Sequence, residues 1–403
     1  MTEALKKNKN IDFYLIGIGN QPIQEINNEI KSIIDSHLVF SGGKRHYELI
    51  KPLLPKKHFW ITISGKMEQV VSQYKTANET VVIFTSGDPY FYGFGNTLKR
   101  FLPESILKTL PYFNSIQRLC HKTETNYNAL KTVSVHGRDW SALDTALIED
   151  HSLIGVLTDG VKTPAVIAKR LLQYGFDNYN ISVGEALDGE HEIISNYDIK
   201  ECTTKNHNVL NCMLLSRITP KAVSFGFPDH LFVPLPKRAN MITKMPIRLN
   251  TIHALNLATK ACFWDVGSCT GSVAIEAKKH YPQLNVLAFE KRKECGTIIQ
   301  QNKEQFSTPG IKIIINDFFK VNLSELVIPD VVFIGGHGNR LKEMILKIHQ
   351  LNPKVRFVTN AVLETTLITF KSVLTDLKYN IEATAIQIND HNKIMICSAQ
   401  IEV

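Results

Sequence analysis

No run of apolar residues in the 403-residue chain approaches the roughly 20 that a bilayer span requires, so no membrane segment is expected. The charged start MTEALKKNKN is not followed by an apolar stretch of secretory type, and the expected location is the cytoplasm. Seven cysteines include no Cys-x-x-Cys pair, which argues against a zinc ribbon, and their odd number argues against a disulfide framework. No metal site is expected. Charged residues make up only 21%, too few and too evenly spread for a disordered chain. There is no internal repeat and no low-complexity tract. What is present is 44% apolar residues, enough for more than one core, over a length suited to two or three domains.

Charge is uneven along the chain. Residues 1–219 hold 24 Lys+Arg against 23 Asp+Glu, whereas residues 220–403 hold 22 against 15. Most of that excess lies in residues 220–262, where Lys221, Lys237, Arg238, Lys244, Arg248 and Lys260 face Asp229 alone. Such a segment suits a polyanionic partner, either nucleic acid or a small molecule rich in carboxylates, and equally suits a solvated linker.

Strand-like apolar runs alternate with amphipathic stretches, the pattern of an α/β protein. In the first half, strands are expected at Phe13–Gly19, Phe59–Ser64, Thr80–Thr85, Thr132–His136, Ser152–Thr158, Tyr179–Val183 and Val209–Ser216. Phe225–Leu249, with four prolines and no clear period, reads as a connector. A second α/β unit follows. Its strands are expected at Phe263–Val266, Asn285–Glu290, Ile311–Asn316, Val331–Gly335, Arg356–Asn360, Ile381–Ile388 and Lys393–Ile401. The last two are split by a turn at residues 389–392, giving a mostly parallel sheet with an antiparallel final strand. The expected domains are 11–218, a basic connector and leading segment at 219–250, and 251–403.

The loop Asp265-Val266-Gly267-Ser268-Cys269-Thr270-Gly271-Ser272 stands between a strand and a helix, where glycines admit a ligand and helix-start amides point at it. Cys269 breaks G-x-G-x-x-G and no Lys follows Gly271, so dinucleotide and P-loop readings weaken. Glu290 ends the next strand and can accept both hydroxyls of a ribose. Asp317, followed by Phe318, ends a third strand, placed to hold the amino group of an adenine. Glycine loop, acid, acid at successive strand ends is the layout of an S-adenosylmethionine site. The cluster Gly335-Gly336-His337-Gly338 ends a fourth strand, either to offer backbone amides to a substrate carboxylate or as a plain tight turn.

The segments FWDVGSCTGSVAIEA, PDVVFIGGHGN and VTNAVLETT, with FGFPDHLF and MITKMPIR upstream, resemble the C15-methylating, decarboxylating enzymes of cobalamin biosynthesis, the CbiT type. The resemblance implies a cofactor contact for Thr243. In the first half, Gly17-Ile18-Gly19, GGKRH with Lys44, Arg45 and His46, the turn SGDPYFYG from Ser86 to Gly93, Asn114-Ser115, VSVHGR ending in Arg138, and Leu157-Thr158-Asp159-Gly160 resemble the tetrapyrrole methylase superfamily. The nearest type is CbiE, which methylates carbon 5 of the corrin precursor. A CbiE-like half followed by a CbiT-like half is the architecture of the precorrin-6Y methyltransferase family, CobL type. The implied fold is a tetrapyrrole-methylase domain of two α/β subdomains followed by a Rossmann-like class I methyltransferase domain. The implied cofactor is S-adenosylmethionine, one per methyltransferase domain.

Carried onto this sequence, the resemblance implies cofactor contacts from Gly87, Asp88, Pro89, Gly93, Asn114, Ser115, Thr243, Gly267, Ser268, Cys269, Thr270, Gly271, Glu290, Asp317 and Phe318. It implies substrate contacts from Gly17, Gly19, Lys44, Arg45, Arg138, Gly335 and Gly336. The implied substrate is a polyanionic tetrapyrrole, precorrin-6Y or its cobalt form, methylated at carbons 5 and 15 with loss of carbon dioxide from the carbon 12 acetate. The acceptors are electron-rich ring carbons, so alignment and water exclusion replace a nucleophile. His46 and His337 are the candidates for moving protons, set against plain roles as hydrogen-bonded loop histidines. Cys269 reads as a small loop residue in place of a glycine, strained if the position needs positive φ. Self-association is implied only by analogy, and neither nucleic acid nor membrane is an expected partner. The alternative is an RNA methyltransferase on the same folds, and a third reading is a non-catalytic carrier of corrinoid intermediates.

Overall fold

A computed structural model describes residues 12–21, 26–221, 224–238, 240–389 and 393–401. The chain divides into two compact units. The first comprises Met1–Gly137, Leu153–Val166 and Asn180–Ser216, and the second Arg138–Ser152, Ile167–Tyr179 and Arg217–Val403.

Among the described residues, ten strands precede residue 218: β1 (Phe13–Ile18), β2 (Val39–Gly42), β3 (Phe59–Thr62), β4 (Val81–Ser86), β5 (Leu107–Leu110), β6 (Leu130–Ser134), β7 (Leu153–Leu157), β8 (Tyr179–Glu185), β9 (Ile193–Tyr197) and β10 (Asn211–Arg217). They form two five-stranded sheets, in the orders β3-β2-β4-β1-β5 and β6-β7-β10-β8-β9. The first sheet is parallel throughout. Its central strands read as continuous apolar runs because helices cover both faces; Leu15, Ile16, Val82 and Ile83 are fully buried. The short strands β5 and β9 escape the sequence pattern, since LKTL and IISNY are only half-buried and carry no alternation.

The second unit holds β11 (Cys262–Val266), β12 (Asn285–Glu290), β13 (Ile311–Ile315), β14 (Val331–Ile334), β15 (Arg356–Ala361), β16 (Asn380–Ile386) and β17 (Ile394–Gln400). Their order is β13-β12-β11-β14-β15-β17-β16, parallel except for β17, which runs against both its neighbours. This is a Rossmann-like sheet with its switch in strand order between β11 and β14, where α/β proteins open a ligand crevice. The expected turn at 389–392 lies mostly outside the described residues.

The stretch Phe225–Leu249, expected as a connector, is in large part core. Phe227, Phe232, Leu235 and Ile247 are buried, and a helix begins at Met245, with Pro246 in its first turn. The clamp is ionic. Arg248, fully buried, donates from Nε to Glu276 Oε2 at 3.0 Å, from Nη1 to Asp229 and the Thr243 carbonyl, and from Nη2 to the Phe227 carbonyl. Glu276, also fully buried, accepts from the Gly226 and Phe227 amides and sits 3.1 Å from His280 Nε2. Burial pushes the Glu276 carboxyl up, but His280, the Phe227 amide and Arg248 together hold it below the usual range. Both charges are therefore saturated with partners, the condition under which a buried pair survives.

Arg248→Met leaves Glu276 buried without its cation and is expected to cost about 3–5 kcal/mol of stability, read from denaturant unfolding. Because the Glu276 carboxyl is depressed in the fold, its contribution is present above the unfolded value and fades as pH falls through the folded one. The difference between parent and variant should narrow in acid. A cost below about 1 kcal/mol would remove the pair from the account of this segment.

Candidate functional site

In the second unit the loop after β11 turns twice through left-handed backbone, at Gly267 (φ 77°) and Gly271 (φ 77°), and once more at Cys269 (φ 52°). A side chain at Gly267 would meet the Gly336 amide nitrogen at 2.4 Å, so the loops after β11 and β14 touch backbone to backbone. Gly271 ends the loop as N-cap of the helix Ser272–His280. Cys269 thus carries the steric cost of a non-glycine residue at positive φ. Its amide donates to Glu290 Oε2 at 3.0 Å and its thiol to the Met241 carbonyl at 3.2 Å. Burial pushes the thiol's pKa up, so it is no activated nucleophile.

Asp265 is buried within this loop. Its Oδ2 accepts from Ser268 Oγ at 2.9 Å and the Ala274 amide at 3.1 Å, while Oδ1 has no protein partner. Desolvation raises its carboxyl to about 7. Thr270 Oγ1 is likewise buried and without a partner, though its carbonyl accepts from Asn302 Nδ2 at 2.9 Å. Asn302 also bonds both the amide and carbonyl of Val233, tying the leading segment to the glycine loop.

A cleft of about 340 Å³ opens at these strand ends, lined by Gly267, Glu290, Asp317, Phe318, Gly336 and His337 among others. Glu290 is buried; burial raises its carboxyl, but Arg292 and backbone amides outweigh that and hold it below the ordinary range. Arg292 grips both its oxygens at 3.0 Å. Asp317 caps a short 3₁₀ turn by accepting from the Phe319 amide at 2.9 Å, and Phe318 packs into the core on Trp264 and Phe289. Thr243 stands beside the site's structural clamp, its carbonyl accepting from Arg248 at 2.7 Å.

One expectation needs correction here. The Gly335 and Gly336 amides both donate to the Val266 carbonyl, at 2.8 and 3.3 Å, so they are committed to the fold and do not offer themselves to a substrate carboxylate. His337 lines the cleft with Nε2 at 3.3 Å from Thr366 Oγ1 and Nδ1 without a protein partner, and burial holds its pKa below the usual value. Its ring is neutral near pH 7.

In the first unit a larger cleft, about 960 Å³, lies at the ends of β1 and β5, lined by Gly17, Gly19, Asn20, Tyr112, Phe113 and Arg118 among others. A side chain at Gly17 would meet the Gly87 carbonyl oxygen at 2.0 Å, and one at Gly87 (φ 61°) would meet Asn114 Cα at 3.0 Å. Three strand-end loops thus close on one another. Asp88 Oδ1 accepts from the Tyr90 amide at 2.8 Å, fixing the turn that follows β4, and Gly93 lies tight against the carbonyls of Asp88 and Pro89. Asn114 and Gln117 cap the helix Ser115–Lys122 reciprocally, at 2.9 and 3.1 Å.

Lys44 is exposed in the first turn of the helix Lys44–Ile50, and Arg138 is exposed in the chain assigned to the second unit. Arg45 donates to Asn20 Oδ1 and, at 2.6 Å, to Ser86 Oγ. His46 does not line this cleft and is tied into its own loop. Its Nδ1 accepts from the Gly43 amide at 3.1 Å, its Nε2 lies 2.9 Å from Ser86 Oγ, and burial beside Arg45 lowers it to about 4. Arg248, Glu276 and Asn302 were missed by sequence reading, because each acts through a partner at least 28 residues away.

Asp265→Asn tests the buried acid. A carboxyl raised from 3.8 to about 7 in the fold lends stability below its unfolded value and loses it as pH rises to about 7. The unfolding midpoint of the parent should therefore fall relative to Asp265→Asn between about pH 4 and 7. Parallel profiles would mean that Asp265 ionises normally.

Comparison with known proteins gives three results. A family described as Precorrin methyltransferase domain matches residues 237–394. A protein of Sinorhizobium sp., precorrin-6Y C(5,15)-methyltransferase [decarboxylating], is 30% identical over 356 residues, 86% of this chain and 84% of its own. Two proteins of Salmonella typhimurium match shorter stretches. Cobalt-precorrin-7 C(5)-methyltransferase is 27% identical over 40% of this chain and 78% of its own, and cobalt-precorrin-6B C(15)-methyltransferase (decarboxylating) is 30% identical over 31% and 65%.

Proposed function

Because the chain belongs to the precorrin-6Y C(5,15)-methyltransferase (decarboxylating) family, we propose that each of its two clefts serves one methyl transfer to the same tetrapyrrole. The first unit's cleft would serve carbon 5. The second would serve carbon 15 and the loss of carbon dioxide from the neighbouring acetate. The observation that carries this reading is the presence of two separate clefts, each at the C-terminal ends of parallel strands and each walled by a glycine that abuts another loop's backbone. Both volumes fall in the range of small-molecule sites.

The residues around the second cleft suit S-adenosylmethionine. Buried polar atoms without protein partners, Asp265 Oδ1 and Thr270 Oγ1, stand in the glycine loop, and Glu290 presents a carboxylate at the next strand end. When bound, that group supplies an electrophilic methyl on a sulfonium. The chain's part is to orient and to exclude water. Glu290 would accept the ribose hydroxyls, which requires Arg292 to share or yield its hold. Asp317, through its free oxygen, would accept the adenine amino group. In the first unit the turn Gly87–Gly93 and the capped Asn114 would hold the second copy of the cofactor, one per domain.

Decarboxylation converts an acetate arm, CH₂–CO₂⁻, into a methyl group and carbon dioxide, so one proton must be added to the remaining carbon. His337, neutral and with Nδ1 unengaged by protein at the cleft wall, is the side chain we assign to relay it from solvent. The reading needs no nucleophile, in keeping with the raised thiol of Cys269.

Calorimetric titration with S-adenosylhomocysteine should find two sites in the parent. Glu290→Ala should weaken one at least tenfold, and Asp88→Ala the other. A single site, lost only in Glu290→Ala, would reduce the first unit to a structural role and end the two-methylation reading.

A further inference from the structure

The cations around the first cleft are mostly neutralised. Arg118 is ion-paired with Asp188, Lys122 with Glu192 at 2.8 Å, and Lys108 with Glu29 at 2.7 Å. Arg45 differs. Among the described residues no carboxylate pairs with it, and its guanidinium is held by two neutral acceptors, the Asn20 amide oxygen and the Ser86 hydroxyl. A guanidinium fixed in direction but not compensated in charge is a preformed receptor for a carboxylate.

Asn20 sets that direction. Its Oδ1 takes the Arg45 proton, while its Nδ2 reaches the carbonyl of Ala186, just beyond β8 in the other sheet, at 3.4 Å. The amide therefore spans the two sheets of this unit at the rim of the cleft it lines. Room for it exists because residue 189 is glycine: a side chain there would come within 2.7 Å of Asn20 Nδ2.

We propose that Asn20, which lines the cleft, is a positioning residue for the carbon 5 reaction, holding Arg45 beside it to receive one carboxylate arm of the tetrapyrrole. This rests on the tetrapyrrole reading given above. The charge-neutral bridge is the essential point. An acid at position 20 would keep the contact with Arg45 but satisfy its charge internally, and, having no N–H for the Ala186 carbonyl, would give up the bridge; the arm would meet a compensated site.

Full-length protein carrying Asn20→Asp or Asn20→Ala tests this with uroporphyrin, which has eight carboxylates, and coproporphyrin, which has four, as fluorescent probes. Asn20→Asp should weaken uroporphyrin binding at least tenfold, and Asn20→Ala roughly threefold, with a smaller loss for coproporphyrin. Binding of S-adenosylhomocysteine should stay within twofold. In turnover, the KM for tetrapyrrole at carbon 5 should rise in Asn20→Asp with kcat within twofold, while carbon 15 methylation is unchanged. Unaltered porphyrin binding in Asn20→Asp overturns the proposal, as does a fall in kcat at constant KM. Loss of S-adenosylhomocysteine binding in step with the porphyrin would overturn it too, by making Asn20 structural. A parent protein that binds neither porphyrin nor tetrapyrrole substrate would instead overturn the substrate reading, and this assignment with it.

Discussion

Close approach of backbone to backbone at strand ends is the constraint on which both units depend. Gly17 faces the Gly87 carbonyl in one, and Gly267 faces the Gly336 amide in the other. In each case even a methyl group would collide with main-chain atoms that have no rotamer with which to yield. The loops can close only where a side chain is missing, and closing them shapes the cleft beside them. Several glycines that suggest ligand contact are thus required first by the fold. Ligand binding exploits a surface that packing has already made.

Polar commitments follow from the same crowding. With the strand-end loops pressed together, many donors are used internally: the Gly335 and Gly336 amides serve Val266, and the Gly43 amide occupies His46 Nδ1. What remains unengaged is sparse and therefore informative. Asp265 Oδ1, Thr270 Oγ1 and His337 Nδ1 lack protein partners around one cleft, and Arg45 lacks a counter-ion near the other. The basic excess of residues 220–262 shrinks on inspection, since Arg248 is buried against Glu276 and Asp229. Part of a charge that looked available to a polyanion is consumed in holding the segment to its own domain.

Local signals were legible in the sequence, and partnerships were not. Strand Asn285–Glu290 matches expectation to the residue, and a helix follows the glycine loop as expected, because an apolar run and a glycine loop each act within a few positions. Strand β5 was invisible, being four half-buried residues whose status comes from pairing with β1. The segment before Met245 read as a connector because its prolines and bases mask three core residues, Phe227, Phe232 and Leu235. Its anchor, Glu276, lies on a helix where an acid would ordinarily face solvent. His46 reads as a titratable loop histidine until its two neighbours are seen. Pairings across tens of residues leave no periodicity to detect.

The thiol inventory has a practical side. Six of the seven cysteines are buried, and Cys269 alone is partly accessible, on the glycine loop beside the second cleft. An alkylating reagent used gently on the intact protein would therefore mark one position, slowly because burial disfavours the thiolate. Occupancy of the adjacent cleft would shield it. The residue that departs from the expected glycine thus gives the chain an internal reporter for one of its two sites, already in place and needing no engineering.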